Sequence, residues 1–478
     1  MNMTAVKEKD LFENKKVLVA IFQLAFPTVI GQIILVVYNM ADTFFVGLSG
    51  NDAMLAAVTV CMPAFMFLSA ISNLFGIGGA SVIARALGAN DLRRAKCASA
   101  FAFWGCLAVT AVYSLAAFFA RDLFTDLLGG TNPQVHENAV EYLIVTVIGG
   151  GAVTSVGVLF SHLIRAEGRA LHASAGIALG GVLNIGLDPL FMFVILPPGK
   201  EALGAAIATT LANLVSLVYF ICVLFSIRKH STLRFAVKKR MFLEHIPLDV
   251  LSAGLPACVM TLFENISYAV LDKLMSLAGL EMQAGIGVAK KVNMLAHCIV
   301  RGIAQGSLPL IAYNYSSRNY DRMKASVRVA HFISILMAAL CMVINLILAR
   351  PLIGLFIHSE SASLGYGMTF LWILCLGGPF SASAYTIISF FQATGDGGKS
   401  FLLAILRKGI VDIPLMFLLN ALIPIYGIVM ATPIADALCC AVANLMYTAY
   451  RKRLTAPEKV DTRDIIKEEI SLQNGKGA

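Results

Sequence analysis

The residues Ala25–Gly47, AFPTVIGQIILVVYNMADTFFVG, decide the class of fold. As a helix that rises about 1.5 Å per residue, they can cross the roughly 30 Å hydrocarbon core of a bilayer. The segment nevertheless contains a carboxylate, Asp42. An acid in hydrocarbon costs about 3 kcal/mol on insertion scales, so a chain that keeps one either shields it with partner groups or uses it. We therefore interpret Asp42 as the centre of a transport mechanism.

The whole chain shares this apolar character. Of its 478 residues, 58% are hydrophobic and 14% are charged, whereas a soluble protein carries about 25% charged residues. Long apolar runs predict an all-α polytopic membrane protein with about twelve transmembrane helices. The predicted spans, numbered in order, cover residues 18–47, 53–80, 97–120, 138–163, 171–196, 202–227, 247–275, 282–311, 326–349, 364–392, 400–423 and 426–450.

The positive charge lies in alternate connections. A net charge of +9 is compatible with nucleic-acid binding, but Lys and Arg cluster at the N-terminus, in connections 2–3, 4–5, 6–7 and 8–9, and at the start of the tail. This positive-inside pattern predicts a cell-membrane protein with both termini cytoplasmic. We expect a monomer in the lipid bilayer, without a nucleic-acid partner. The predicted domains are a cytoplasmic N-terminus (1–17), a first lobe (18–228), a basic cytoplasmic linker (229–246), a second lobe (247–450) and a cytoplasmic tail (451–478).

The two halves of the chain resemble each other. Five short segments of the first half recur in the same order in the second half. They predict two six-helix bundles that share one orientation and are related by a pseudo-two-fold axis along the membrane normal. That arrangement suits alternating access, with a substrate held between the halves. The matched segments are 25–27 with 254–256, 50–52 with 279–281, 166–168 with 393–395, 188–190 with 412–415 and 204–209 with 427–432.

Four polar residues of the first half are predicted to lie at similar depth. Asp42 is near the outer end of helix 1, Asn184 and Asp188 share one face of helix 5, and Thr209 is in helix 6. If they meet, their oxygen atoms can bind a hard cation such as Na⁺ at Asp42, Asn184 and Asp188. Alternatively, the two carboxylates can share a proton, because two adjacent like charges are unfavourable. A third interpretation is that Asn184 and Asp188 only cap and cross-link helices.

Charged residues also lie within the predicted spans of the second half. Opposite charges buried together usually pair, so structural ion pairs and a charged substrate cavity are both open interpretations. Asp272 and Lys273, near an outer helix end, are interpreted as snorkelling towards water. The acids are Glu264, Asp412 and Asp436, and the bases are Lys290, Lys291, Arg301, Arg407 and Lys408.

The sequence lacks the usual patterns of an enzyme. The ten Cys residues include no CxxC, the His residues include no HExxH, and no nucleophile–base pair is evident at one depth. We therefore predict a protein that is not an enzyme and that needs no cofactor besides a coupling ion, H⁺ or Na⁺. A channel is a further possibility, but a two-fold repeat with buried carboxylates fits alternating access better.

Several segments together are similar to one family. Pro27 and the residues 38–47, Tyr-Asn-Met-Ala-Asp-Thr-Phe-Phe-Val-Gly, resemble the first helix of the MATE (multidrug and toxic compound extrusion) exporters. Residues 88–91 (Gly-Ala-Asn-Asp), 188–190 (Asp-Pro-Leu) and 204–209 (Gly-Ala-Ala-Ile-Ala-Thr) extend the resemblance over nearly the whole chain. It is closest to the prokaryotic MepA-like and DinF-like branches.

The resemblance implies a fold, an activity and a set of residues. It implies a V-shaped pair of six-helix lobes that exports bulky, often cationic amphiphiles by rocker-switch antiport against H⁺ or Na⁺. It maps the family's first-lobe cation site onto Asp42, Asn184, Asp188 and Thr209. Pro27 corresponds to the proline about which the first helix is thought to bend.

The second lobe matches the family less well. Glu264 corresponds to the helix 7 acid of a second-lobe site in another branch, but small or neutral residues around 380–383 replace that branch's helix 10 acid. This argues against a second-lobe Na⁺ site. The candidate residues for the substrate cavity or the second lobe are Tyr38, Asn39, Glu264, Lys290, Lys291 and Asp412.

Two kinds of substrate are open at this point. The leading hypothesis is a cation-coupled exporter of small amphiphiles. If Lys290 and Lys291 line the cavity unpaired, they repel cationic drugs and favour an anionic or zwitterionic substrate. The alternative is a flippase or exporter of a lipid-linked or anionic metabolite in the same superfamily, which the span count and the pairing of these lysines would distinguish.

Overall fold

The computed structural model describes residues 9–48, 52–127, 133–237, 239–242, 244–357 and 362–455, and these residues include helices but no β-strand. Most of the predicted tail and the first residues of the predicted N-terminus lie outside this part of the chain. The predicted lobe boundaries remain predictions.

The first half contains six long helical elements. Helices α1 to α3 are Val17–Leu48, Asp52–Gly88 and Leu92–Phe119. Helix α4 begins with Pro133–Leu143, continues through the π-helical Ile144–Gly149, and bends by 49° into Gly151–Ala166. Helix α5 is Ala170–Leu190, extended by the π-helical Phe191–Ile195, and α6 is Glu201–Ile227.

The second half repeats this order. Helices α7 to α9 are Ile246–Ala278, Leu280–Ser316 and Tyr320–Ile347. Helix α10 consists of Ala362–Cys375 and Gly378–Thr394, which meet at 43°. Helix α11 is made of Gly397–Ile405, the π-helical Leu406–Ile410 and Asp412–Leu422, and α12 is Tyr426–Thr455. Three short helices, Arg121–Leu127, Lys239–Phe242 and Ala349–Gly354, lie in the connections.

By length and composition, nine of the described helices can cross a membrane, and the bent α4 and α10 bring the number to eleven. The twelfth predicted span, 400–423, corresponds to α11, which is broken into short pieces. Pro414 cannot donate a hydrogen bond to the carbonyl of Ile410, and the helix widens just before it. The charges of Arg407, Lys408 and Asp412 lie in this break.

Equivalent helices in the two halves have equivalent bounds. Helices α1 and α7 begin 229 residues apart, at Val17 and Ile246. Helices α3 and α9 each have 28 residues and begin after a similar cap, Asp91 or Asn319, whose side chain accepts a hydrogen bond from the backbone N–H three residues later. The repeat found in the sequence therefore extends to the helix ends.

The two halves pack against each other at the end of the helices that carries the basic connections. There α2 packs on α7 and α1 packs on α8. A side chain at Gly254 would collide with the carbonyl of Leu74, and one at Gly306 would collide with the backbone of Ala25. Because glycine has no Cβ, the helices approach closely at these crossings. Arg94 of α3 also pairs with Asp249 of α7 at this end.

Candidate functional site

We define the first-half site as Asp42, Asn184, Asp188 and Thr209. The side-chain amide of Asn184 contacts two of the other members. Asn184 Nδ2 donates to Asp188 Oδ1 at 3.0 Å and lies 3.3 Å from Thr209 Oγ1. One turn of α5 separates the two α5 residues, and Thr209 reaches them from α6. The sequence-predicted contact among these three residues is therefore present.

Asp42 is buried near the same cluster. It is 8% exposed, and Asp188 is fully buried. The two carboxylates are close enough to interact electrostatically. Three oxygen atoms of the first-half site have no hydrogen-bond partner among the described residues, namely Asp42 Oδ1, Asn184 Oδ1 and Asp188 Oδ2. Buried acceptors without donors are costly, and oxygen atoms of this kind can accept a proton or coordinate a cation.

Two tyrosines lie beside the first-half site. Tyr38, a sequence-predicted residue of α1, and Tyr142 of α4 are both within electrostatic range of Asp42 and Asp188. Tyr142 was not predicted, because nothing in the sequence around it resembles a motif. Asn39 Nδ2 donates to the Leu35 carbonyl of its own helix at 2.7 Å.

A cavity lies between the two halves. In the first half its wall includes Tyr38, Asn39, Asn184 and Thr209, so two members of the first-half site face it directly. In the second half its wall comes from α7 and α8, including Glu264 and Arg301. A cavity between two repeats, beside buried polar groups, is where a transporter of this architecture holds its substrate.

The second-half site, defined as Ser267, Lys408, Asp412 and Thr432, occupies the equivalent position in the repeat. Asp412 accepts hydrogen bonds from Lys408 Nζ at 3.0 Å, Ser267 Oγ at 2.6 Å and Thr432 Oγ1 at 3.0 Å. It is fully buried. Asp412 was predicted as a cavity or second-lobe candidate. It lies in the second half but is not among the residues that line the cavity.

The two other acids predicted within the spans of this half, Glu264 and Asp436, also form ion pairs. Glu264 Oε2 accepts from Arg301 Nη2 at 2.6 Å, and the same nitrogen donates to Tyr385 at 3.0 Å. Asp436 accepts from Arg407 Nε at 2.7 Å. The interpretation of structural ion pairs therefore holds for these acids.

Lys290 and Lys291, which were predicted as cavity or second-lobe residues, lie in α8 of the second half. Neither is among the residues that line the cavity. Lys290 pairs with Asp272 and lies 5.3 Å from the ring centre of Tyr268. Asp272 is therefore an ion-pair partner and does not merely snorkel.

Pro27 lies inside α1, which continues through it as one helix from Val17 to Leu48. Bending about Pro27 stays a prediction. Among the described residues, no group of three or more His, Cys, Asp or Glu side chains is arranged to hold a metal ion.

One family model matches both halves of the chain. The family model MatE matches residues 27–190 and 256–418. The multidrug export protein MepA of Staphylococcus saprophyticus is 29% identical over 452 residues, which cover 94% of this chain and 98% of that protein. The protein of the same name from Staphylococcus aureus MRSA252 is 27% identical, with coverages of 96% and 100%.

The solved structures agree with this match. One is described as the outward-facing conformation of a multidrug resistance MATE family transporter of the MOP superfamily. It superposes with a TM-score of 0.87 at 25% identity, over 96% of this chain and all of the other. The all-helical architecture is thus a MATE fold. Because the family model covers more than half of the sequence, this chain belongs to the MatE family.

Proposed function

We propose that this protein is a cation-coupled antiporter that exports amphiphilic, often cationic small molecules by alternating access. The observation that carries the proposal is the set of unpartnered oxygens at Asp42, Asn184 and Asp188, directly behind a cavity lined by both halves. Similarity over nearly the full length to proteins named multidrug export protein MepA supports a multidrug efflux transporter rather than an enzyme.

The coupling ion is H⁺ or Na⁺, taken up by the first-half site. Two nearby carboxylates with one unpartnered oxygen each can hold a proton between them, and the amide oxygen of Asn184 adds a third ligand suited to a hard cation. Substrate and ion compete because Asn184 and Thr209 belong to the site and also face the cavity. No further cofactor is needed.

The proposed location is the cell membrane, with both termini cytoplasmic and the protein acting as a monomer. Positive-inside orientation places the basic end in the cytoplasm. Since the halves pack together at that end, the cavity between them then opens outwards. In the opposite state, we expect the Gly254–Leu74 and Gly306–Ala25 contacts to separate.

The charge of one cavity residue favours a second candidate class of substrate, an anionic metabolite or lipid-linked precursor. Arg165 of α4 lines the cavity and is 2% exposed. Its Nη1 lies 3.3 Å from His162 Nδ1, its Nε has no partner, and no carboxylate pairs with it among the described residues. Glu264 and Arg301 neutralise each other. Arg165 therefore adds a net positive charge to the cavity wall.

The test is transport in proteoliposomes with the proton gradient and the sodium gradient imposed separately. Ethidium is the cationic probe, and an anionic dye such as carboxyfluorescein is the probe for the second candidate. Ethidium transport driven by one gradient and lost in Asp42→Asn is the expected result. Transport of the anionic dye alone would support the second candidate, and ethidium transport that ignores both gradients would refute coupling.

A further inference from the structure

A short helical segment precedes the first long helix of each half. Residues 9–13 are helical and lie just before α1, and the short helix Lys239–Phe242 lies just before α7. The offset of 229 residues between the starts of α1 and α7 places Phe12 and Met241 at corresponding positions, and both side chains are buried. We call residues 9–16 the N-terminal strap and residues 239–242 the linker strap.

The N-terminal strap packs against both halves at the basic end. The ring of Phe12 stacks on that of Tyr313 in α8, with 4.9 Å between the ring centres and 11° between the ring planes. A Cβ at Gly168, in the connection between α4 and α5, would lie 3.1 Å from the Phe12 ring. Glu13 accepts a hydrogen bond of 2.7 Å from the Tyr313 hydroxyl. Phe12 therefore touches the first half at Gly168 and the second half at Tyr313.

Arg322 of α9 binds the backbone of the N-terminal strap. Its Nε donates to the Phe12 carbonyl at 2.7 Å. Its Nη2 lies 2.6 Å from the Lys15 carbonyl oxygen and 3.3 Å from the Leu11 carbonyl oxygen. The last carbonyls of a helix lack partners within the helix, and a positive charge is favourable at that end. One side chain of the second half thus completes the hydrogen bonds of a segment that leads into the first half.

The linker strap makes the corresponding contacts in the opposite direction. It leads into the second half but packs on α3 of the first half. There the ring of Phe242 lies edge-on to that of Phe101, with 6.2 Å between their centres. Close to this contact along the chain, Arg94 of α3 pairs with Asp249 in the first turn of α7.

Arg94 and Arg322 are equivalent in the repeat. The caps of α3 and α9, Asp91 and Asn319, are 228 residues apart, and each arginine follows its cap by three residues. Each arginine contacts the chain at the start of the first helix of the other half. The fold therefore makes the same connection between the halves twice.

We infer that the two straps hold the halves together at the basic end and that the cavity opens towards that end only when they release. This inference rests on the alternating access proposed above, in which the halves separate where they now pack together. Each strap belongs to one half and contacts the other, so this separation breaks contacts of both straps. Contacts that exist in one state only favour that state, and the straps therefore favour the state that is closed at the basic end.

Distances between nitroxide labels at the basic end test this role in the full chain. Labels attached through unnatural amino acids at Lys229 and Arg453, two exposed positions near the ends of α6 and α12, report the separation of the halves by double electron–electron resonance. The sample is in lipid nanodiscs without substrate or ion gradient. We expect the longer-distance population to rise at least about fivefold in Arg94→Ala/Arg322→Ala, because hydrogen bonds specific to the closed state are lost.

The matched control is Lys96→Ala/Lys324→Ala. Each lysine follows one of the arginines by two residues on the same helix, so the control removes the same charge from the same helices and leaves the hydrogen bonds to the straps in place. It should keep the wild-type distances. Arg94→Lys/Arg322→Lys should lie between the wild type and the alanine variant. Phe12→Ala tests the N-terminal strap alone and should give a smaller rise in the same direction.

The inference is overturned by an unchanged distance distribution in Arg94→Ala/Arg322→Ala, by an equal change in the control, or by a shift to shorter distances. If the double variant does not fold, Phe12→Ala decides, and an unchanged distribution in that variant contradicts the role of the N-terminal strap. The distances are measured without a gradient. The straps are therefore supported by the expected shift even if ethidium transport ignores both gradients, so the straps and the proposed coupling can fail separately.

Discussion

Asn184 and Lys408 occupy equivalent places in the two halves, each one helical turn before an aspartate and both at an offset of 224 residues. In the first half, the Asn184 amide donates to Asp188 and leaves oxygen atoms without partners. In the second half, the Lys408 ammonium donates to Asp412, and two hydroxyl groups complete its contacts. One site keeps buried oxygen atoms without partners, and the other contains its own cation.

The first helix of each half strengthens this contrast. At the offset of 229, Asp42 of α1 corresponds to Leu271 of α7, which is 1% exposed. The first-half site therefore has two carboxylates and no lysine, while the second-half site has one carboxylate and one lysine. The repeat thus preserves the helix geometry, whereas a few residue differences determine the charge of each site, and in the proposed mechanism they determine which half exchanges an ion.

The largest expected effect on transport is the loss of coupled export in Asp42→Asn. Removing this carboxylate leaves the first-half site without the charge that attracts a cation, so gradient-driven ethidium transport should fall at least about tenfold, which corresponds to about 1.4 kcal/mol. Expression and thermal unfolding should stay near the wild type. Transport rates in proteoliposomes check this, and retained coupling would remove Asp42 from the mechanism.

Asp188→Asn and Asp412→Asn should differ in their effect on the stability of the protein. Asp412→Asn leaves the Lys408 ammonium buried without its counter-charge, which typically costs about 3–5 kcal/mol. Asp188→Asn removes a buried carboxylate with an unpartnered oxygen and should not destabilise the protein. Thermal unfolding in detergent checks both, and adding Lys408→Met to Asp412→Asn should recover much of the lost stability. Equal destabilisation by both single variants would contradict the proposed difference between the first-half and second-half sites.

Part of this arrangement can be predicted from the sequence. The depth and spacing of Asn184, Asp188 and Thr209 identify the first-half contacts, because one-turn spacing on a helix fixes a shared face. The broken α11 is harder to predict, since a π-helical segment next to Pro414 is not distinguished by hydropathy. Ion-pair partners such as Lys290 and Asp272 are set by packing between two helices, which the sequence does not specify.

The equivalence of Asn184 and Lys408 is hard to predict for a different reason, because the two residues differ in type. A comparison by residue identity does not match Asn184 with Lys408, but the constant offset between the halves does. Arg165 and Tyr142 lie in the bent α4, whose two segments place them near the cavity and the first-half site. These segments meet at 49°, an angle that hydropathy does not predict.

A smaller effect is expected when the first-half chemistry is transferred to the second half. Leu271→Asp/Lys408→Asn gives the second-half site two carboxylates and an amide. We expect bound coupling ion per protein to rise from one towards two, because the tethered ammonium no longer occupies the position. Isothermal titration with Na⁺, or proton counting on substrate binding, checks this. Lys408→Asn alone is the control, and unchanged stoichiometry in the double variant would weaken the comparison.

The smallest effect is expected for Glu264→Gln. This acid is already neutralised by Arg301, which also contacts Tyr385. Transport should fall a few-fold, less than in Asp42→Asn, because the positive charge of Arg301 at the cavity wall loses its counter-charge. Parallel transport assays give the order of the two variants, and a larger loss in Glu264→Gln would move the coupling site to the second half.

One pair of variants tests whether the first half alone exchanges the coupling ion. Gradient-driven ethidium transport is compared between Asp42→Asn/Asp188→Asn and Lys408→Met/Asp412→Asn in the same proteoliposomes. We expect the first variant to lose its response to the gradient and the second to keep it. A second-half variant that loses coupling while the first-half variant retains it would contradict the account.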